Sequence, residues 1–266
     1  MALPGFLYRN LTAGLEPVFF SSTPAAAFPW SNLHNPQPRV RVRIESTSAI
    51  IIFDLGSVQA ADCWALISTN LPRSCAIRLR ASITNTSVSG ADLVLDTGTV
   101  SDDFTDPEYN GNIVMCFPTA DARYWRMDIA GGNDPIDIGL LMLGLLFRPE
   151  NATEYGVQEG FLDLSVRDMN EDTGNEYTLS GPKKRTFQFT MAGTEAEVRG
   201  FETSFSDMDR VVGASGDVLF VEDSDADALT RARDSVFGSY REVGASLATR
   251  VANELWTRVF QMRERR

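Results

Sequence analysis

Hydrophobic residues in the first half of the chain recur at every second position over short stretches. Arg39–Glu45 alternates strictly, with Val40, Val42 and Ile44 on one face and arginines on the other. Ala76–Ile83 alternates again and predicts burial of Ile77, Leu79, Ala81 and Ile83. A side-chain period of two is that of a strand with one buried face. Ile50–Leu55 is a short continuous apolar run that stops at Gly56, and Val114–Phe117, Tyr124–Ile129 and Ile138–Phe147 supply further strands. Within Ala122–Ile129, aromatic and aliphatic residues are mixed densely with charged ones. Tyr124 and Trp125 then fall on opposite faces, so both faces matter. Turn-rich pieces, Asn85–Gly90 and Ser101–Asn112, punctuate the set. Many short strands with such punctuation predict a β-sandwich or barrel.

The pattern changes in the second half. Thr186–Met191 alternates with Phe187, Phe189 and Met191 inward. Thr194 and Glu197 then stand at capping-box spacing, where each side chain can bond the other's amide. Val198, Phe201, Phe205 and Met208 follow at intervals of three or four, one helical stripe, with Gly213 as its stop. Asp217–Glu222 reads as a buried strand, and Leu255–Met262 as the last strand, with Trp256, Arg258, Phe260 and Met262 on one face. No internal repeat is visible. Arg148–Gly160 is poor in apolar residues and contains Pro149, Asn151 and Gly156. The boundary is placed there, giving a sandwich over residues 1–148, a linker over 149–160 and a second domain over 161–266. The fold class predicted is mainly β, a sandwich followed by a smaller α+β domain with one helix packed on its strands.

Composition narrows the function. The 266 residues are 43% apolar, enough for real cores, and the net charge of -12 disfavours nucleic acid and anionic membrane surfaces as partners. The longest apolar run, Ile138–Phe147, is too short to span a bilayer. Met1–Asn10 lacks a basic region followed by an apolar core, so no signal peptide is expected. Cys63, Cys75 and Cys116 have no CxxC spacing, which points to neither a zinc knuckle nor a disulfide framework and is simplest in a reducing compartment.

Catalytic chemistry is poorly represented. His34 is the only histidine, and no nucleophile with a fitting local motif stands near it. Asp223, Asp225 and Asp227 resemble the opening of a calcium loop, but Ala228 stands where the turn wants glycine and Asp234 where a bidentate glutamate belongs. Asp102, Asp103, Asp106 and Glu108 form a second acidic loop, read as a charged surface turn, and the basic end Arg263–Arg266 reads as a solvated terminus. No dinucleotide, P-loop or nucleophile-elbow motif occurs. The expectation is no catalytic residue, no metal and no cofactor. A glycan hydrolase, whose paired carboxylates are a spatial property, is the least favoured class.

Three segments of the first half resemble the galactose-binding-like, or discoidin-type, jelly roll: Pro29–Leu33 followed by Asn35 and Pro36, Ile51–Ser57, and Ala122–Ile129, together covering about residues 15–148. The resemblance implies a sandwich that binds glycans through exposed aromatic and hydrogen-bonding side chains. Among Trp30, Trp64, Tyr109 and Trp125, the last strand-borne tryptophans, Trp64 and Trp125, read as core, and the glycan-contact candidates are Tyr109 and Trp30. The second half is similar to a domain of bacteriophage distal and other minor tail proteins. Gly181–Phe189, the capped helix from Thr194 to Arg210, Val218–Asp223 and the Trp256 strand carry that likeness over about residues 160–262. It implies a structural tail protein in the virion, assembled in the host cytoplasm. Its second domain would form a homo-oligomeric ring around the tail axis, contacting other tail proteins, with the sandwich as an accessory module. The tail family's usual order puts the ring domain first, whereas here the sandwich precedes it. The alternative expectation is a carbohydrate-binding module that contacts host surface glycans.

Overall fold

The structure is a computed structural model that describes residues 4–100, 111–149, 157–169, 176–181, 183–200, 204–213, 216–239, 249–252 and 255–265. The chain is mainly β. Its strands begin with β1 (Gly5–Leu7), β2 (Phe19–Phe20), β3 (Val42–Ile44), β4 (Ser48–Ile67) and β5 (Ala76–Ser82). Next come β6 (Leu95–Asp96), β7 (Ile113–Ala130), β8 (Ile136–Ile138) and β9 (Leu140–Gly144). Beyond residue 156 follow β10 (Gln158–Asp163), β11 (Val166–Met169), β12 (Glu176–Leu179), β13 (Lys183–Thr194), α1 (Glu195–Arg199) and α2 (Phe205–Val212). The chain closes with β14 (Val218–Val221), α3 (Ala228–Asp234), β15 (Ser235–Ser239), β16 (Thr249–Ala252) and β17 (Leu255–Glu264).

The first unit is a β-sandwich. Its large sheet runs β2-β4-β7-β5-β6 with β9 also paired to β4, and β3 pairs with β8 in a second, two-stranded layer. Ile51, Phe53, Ile77, Leu79, Trp64, Trp125, Met127 and Ile129 pack inward against Leu33, Val42, Ile44, Ile136 and Ile138. The period-two reading therefore holds along β5 and along residues 125–129, and both strand tryptophans are core as expected. Three local expectations are corrected. The strand from Ile50 does not stop at Gly56: that residue adopts φ +76 inside β4, the register breaks between Asp54 and Gln59, and pairing with β7 then resumes to Leu66. A positive-φ glycine inside a strand is the signature of a bulge, which bends a strand without ending it. Ile83 lies just past β5 and is exposed. Val40 precedes β3, in a turn closed by its amide donating to the Gln37 carbonyl at 2.9 Å.

The second unit is built on a seven-stranded sheet in the order β1-β14-β15-β17-β13-β10, with β16 on β17. Strand β1 comes from the other end of the chain and pairs antiparallel with β14, Phe6 opposite Phe220. Strand β14 explains why its four residues are all apolar: Val218 and Phe220 face the helices with Phe6, Phe205 and Phe260, while Leu219 and Val221 face the sandwich with Leu7, Cys63 and Met142. A strand buried on both faces loses the alternation.

Thr194 caps α1 as a full capping box, its hydroxyl accepting from the Glu197 amide while the Glu197 carboxylate accepts from the Thr194 amide at 2.7 Å. The single helix expected to reach Arg210 is instead two. Gly200 is extended, and Ser204 starts α2 as a fresh N-cap that accepts from the Asp207 amide at 3.1 Å. Val198, Phe205 and Met208 of the predicted stripe are buried; Phe201 lies outside the described residues. Gly213 ends α2 at φ +59, as read. The acidic run Asp223–Asp227 is a turn whose last aspartate caps α3, accepting from the Thr230 amide at 3.0 Å.

Candidate functional site

The outward face of the large sheet gathers two of the segments singled out in the sequence. Antiparallel register places Asp54 opposite Tyr124 and Ile52 opposite Arg126 on β4 and β7, with Phe19 of the edge strand β2 opposite Ile52. Residues directly opposite on one face are within side-chain contact. Val18, Phe19, Ile52, Asp54, Tyr124 and Arg126, with Thr86 and Ser87 of the β5–β6 connection, enclose a cleft of about 420 Å³. Beneath it, Ile52, Tyr124 and Val88 form a small apolar cluster of their own. Phe19 is 50% exposed, so a ring face is offered to solvent beside fixed polar groups.

Those polar groups are held by charge pairing. Asp54 receives Nε and Nη2 of Arg123 at 2.6 and 2.8 Å, and the Gly56 amide at 2.8 Å. The Arg123 hydrogen bonds outweigh burial and hold the Asp54 carboxyl below its usual range. The same guanidinium lies 4.9 Å from the Tyr124 ring centroid. Arg126 donates from Nε and Nη2 to Asp128 at 2.9 and 2.7 Å and from Nη1 to the Ser87 carbonyl at 3.1 Å. Arg80 of β5 adds a bond to Asp128 at 2.5 Å. The side chains are thus fixed before any ligand arrives, and pre-organised groups lose less freedom on binding.

Of the two residues predicted as glycan contacts, only Trp30 is among the described residues, and it lies away from this cleft. Trp30 opens a short 3-10 turn, Trp30–His34, and is only 6% exposed, with its ring 5.4 Å from that of Phe20. A side chain so enclosed offers no platform; Phe20, on the neighbouring edge strand, is what reaches solvent there. Tyr109 and the acidic loop around it lie outside the described residues. His34 is half-buried and its Nε2 bonds the Leu15 carbonyl, while burial lowers its pKa. It ties the turn to the preceding loop. Among the described residues no cluster of three potential metal ligands occurs. Sequence reasoning passed over Phe19, Ile52 and Arg126, although Arg126 and Ile52 lay within the quoted segments; the alternation that sends Trp125 inward sends Tyr124 and Arg126 outward.

No protein-family model and no curated protein matches the chain. Solved structures with similarity include chitosan-binding module 1 of a chitosanase/glucanase from Paenibacillus sp. IK-5, 18% identical over 51% of this chain and 98% of that module, with a TM-score of 0.38. The lectin domain of lectinolysin complexed with Lewis B antigen is 14% identical over 51% of this chain and 95% of its own, at 0.38. A fucose-binding module from Streptococcus pneumoniae is 11% identical over 51% of this chain and 96% of its own, also at 0.38. These neighbours are carbohydrate-binding modules of about half this chain's length.

Proposed function

We propose that the sandwich binds carbohydrate in the cleft over β2, β4 and β7. The observation that carries this reading is the side-by-side placement of the exposed Phe19 ring with the ion-paired Asp54, Arg123 and Arg126 and the hydroxyls of Thr86 and Ser87. A sugar presents a C–H face that packs on an aromatic ring and an edge of hydroxyls that need donors and acceptors held in plane; guanidinium and carboxylate groups supply both. Binding without turnover fits the same geometry. A glycosidic general acid needs a carboxyl raised toward neutral pH, whereas Arg123 lowers that of Asp54. Titration calorimetry of the full chain against ligands drawn from a glycan array tests the reading. Phe19→Ala is expected to weaken binding about tenfold, roughly 1.4 kcal/mol of lost ring contact. A full chain that binds no glycan, or Phe19→Ala binding undiminished, removes the proposal.

A second reading is assembly of the chain within a phage tail, with host glycans met by the sandwich and copies of the second unit forming the ring. Its support is the sequence resemblance of residues 160–262 and the apolar side chains that β10–β12 display. Val166 and Leu179 oppose each other across the β11–β12 hairpin, the latter 72% exposed, and Phe161 and Met169 are exposed nearby. Of these, Val166 and Leu179 share one face of the pair, and exposed apolar side chains set together are a feature of association surfaces. Light scattering of the purified chain and microscopy of particles test it: a strict monomer absent from virions ends this reading and leaves the first intact.

A further inference from the structure

Two thiols meet at the seam between the units. Cys63 of β4 and Cys116 of β7 are direct register partners. Opposed residues of an antiparallel pair have Cα atoms roughly 4.5–5.5 Å apart, inside the roughly 4.4–6.8 Å that a disulfide bridges, so the backbone is already placed to join them. Both side chains lie on the same buried face, Cys116 packing against the apolar cluster that holds Cys63. A register irregularity immediately before Cys63 marks a bulge, and its Asp62 is buried, accepting from the Leu146 amide at 2.8 Å and pairing with Arg148.

The two sulfurs differ in surroundings. Cys63 is fully buried among Leu7, Ala65, Val114, Leu219 and Phe237. Cys116 is partly exposed and lines a separate surface cleft of about 530 Å³ with Met115, Phe117, Ala228 and Arg231. Arg231 of α3 is fixed there, donating Nε to the Val114 carbonyl at 2.9 Å and Nη1 to the Ser224 carbonyl at 2.8 Å. Pairing with Cys63, then the charges of Arg231 and Arg148, lower the Cys116 thiol against the opposing effect of burial, while the Cys63 thiol is raised by the same pairing and by burial. The more exposed sulfur is therefore the one whose ionisation its neighbours favour, and the enclosed one stands behind it as its partner. Cys75, buried elsewhere, is pushed up to about 11 by burial and has no such company.

We propose that Cys116 and Cys63 form a peroxide-reactive thiol pair that closes a disulfide across β4 and β7. The Cys116 thiolate attacks one oxygen of a hydroperoxide; the O–O bond breaks, giving a sulfenic acid on Cys116 and a released hydroxide or alkoxide. The Cys63 sulfur then displaces the sulfenic hydroxyl, the S–S bond forming as the S–O bond breaks, and the Cys63 proton leaves with that oxygen as water. Two thiols and one hydrogen peroxide yield one disulfide and two waters, the thiols supplying the two electrons.

The test uses the reduced 266-residue chain exposed to hydrogen peroxide while folded, then quenched, unfolded, alkylated, and mapped as peptides without reduction. One intramolecular Cys63–Cys116 link is expected, reversed by dithiothreitol, with Cys75 alkylated throughout. Cys63→Ala should stop at the sulfenic acid on Cys116, trapped by dimedone, while Cys116→Ala should leave Cys63 a free thiol after peroxide, alkylated once the chain is unfolded. The wild-type map stands even if either variant fails to fold. Thiols that all remain alkylatable after peroxide, or a link that uses Cys75 or a second chain, overturn the proposal.

Discussion

Phe6 is the residue whose loss the fold should feel most in the second unit. It arrives on β1 from the far end of the chain, is 0% exposed, and its ring lies between 5.2 and 6.3 Å from those of Phe147, Phe189, Phe205, Phe220 and Phe260. Truncation to alanine removes the ring from a site walled by other rings on several sides, where little can move in to fill the space. Phe→Ala in such a core costs about 3–5 kcal/mol, a large part of the roughly 5–15 kcal/mol that holds a whole domain. The assay is hydrogen exchange resolved by peptide on Phe6→Ala. Amides of β13, β14 and β17 should lose protection by about two to three and a half orders of magnitude, since each 1.4 kcal/mol is tenfold. Amides along β5 and its partner β7 should lose far less. Phe6→Leu, which keeps most of the volume, should cost roughly 1.5 kcal/mol or less. The reasoning is refuted if Phe6→Ala leaves β14 and β17 protected as before, or if a fragment beginning at residue 150, and so lacking β1, folds with the native protection of β14.

Asp207 joins β1's end to α2: its carboxylate takes the Tyr8 hydroxyl at 2.7 Å, Arg9 at 2.8 and 2.9 Å, and Arg210 at 2.6 Å. Burial pushes this carboxyl up, but the bonds from Tyr8, Arg210 and Arg9 prevail and bring it to about 2 from 3.8. Its folded value lies below the unfolded one, so it contributes on the order of 2 kcal/mol above about pH 4, a contribution lost as pH falls toward 2. Asp207→Asn should flatten the acid limb of the stability–pH curve measured by urea midpoints. Arg185, buried against Glu264 with bonds of 3.0 and 2.9 Å and against the Arg233 and Ser235 carbonyls at 2.6 and 2.8 Å, should prove costly to break singly. Glu264→Gln is expected to lose about 3 kcal/mol in chemical denaturation by leaving the buried guanidinium to the more distant Glu159 carboxylate at 3.9 Å. Gly111 sits at φ +63 with the Thr69 carbonyl oxygen 2.2 Å from where a Cβ would stand, so Gly111→Ala should lower the melting temperature by several degrees, a shift expected of roughly 1–3 kcal/mol.

Local chemistry was legible wherever one residue's neighbours in sequence decide its environment. The alternation of β5, the inward Trp125, Met127 and Ile129, the Thr194 capping box and the Gly213 stop all follow from period and from side chains that bond within three or four positions. Ser204 and Asp207 form a second start signal of the same kind, and the apolar stripe running past them masked it. The site was half legible. Ile52, Asp54, Tyr124 and Arg126 stood inside segments already singled out, but of the two aromatics chosen for contact Trp30 is enclosed and Tyr109 lies outside the described residues, and Phe19 drew no attention.

By itself the sequence determined that the chain is mainly β, which faces its better strands bury, and that a helical stretch follows Thr194. Tertiary structure alone decided that β1 completes a sheet whose other strands lie beyond residue 156, that β4 runs through Gly56, and that Phe19 stands beside Arg126 and Cys63 beside Cys116. The physical reason is the range of the forces at work. Periodicity and capping act over a few residues, whereas strand register is set by which buried faces fit together across the whole chain, and a slip of one residue would turn every one of these side chains to the opposite face.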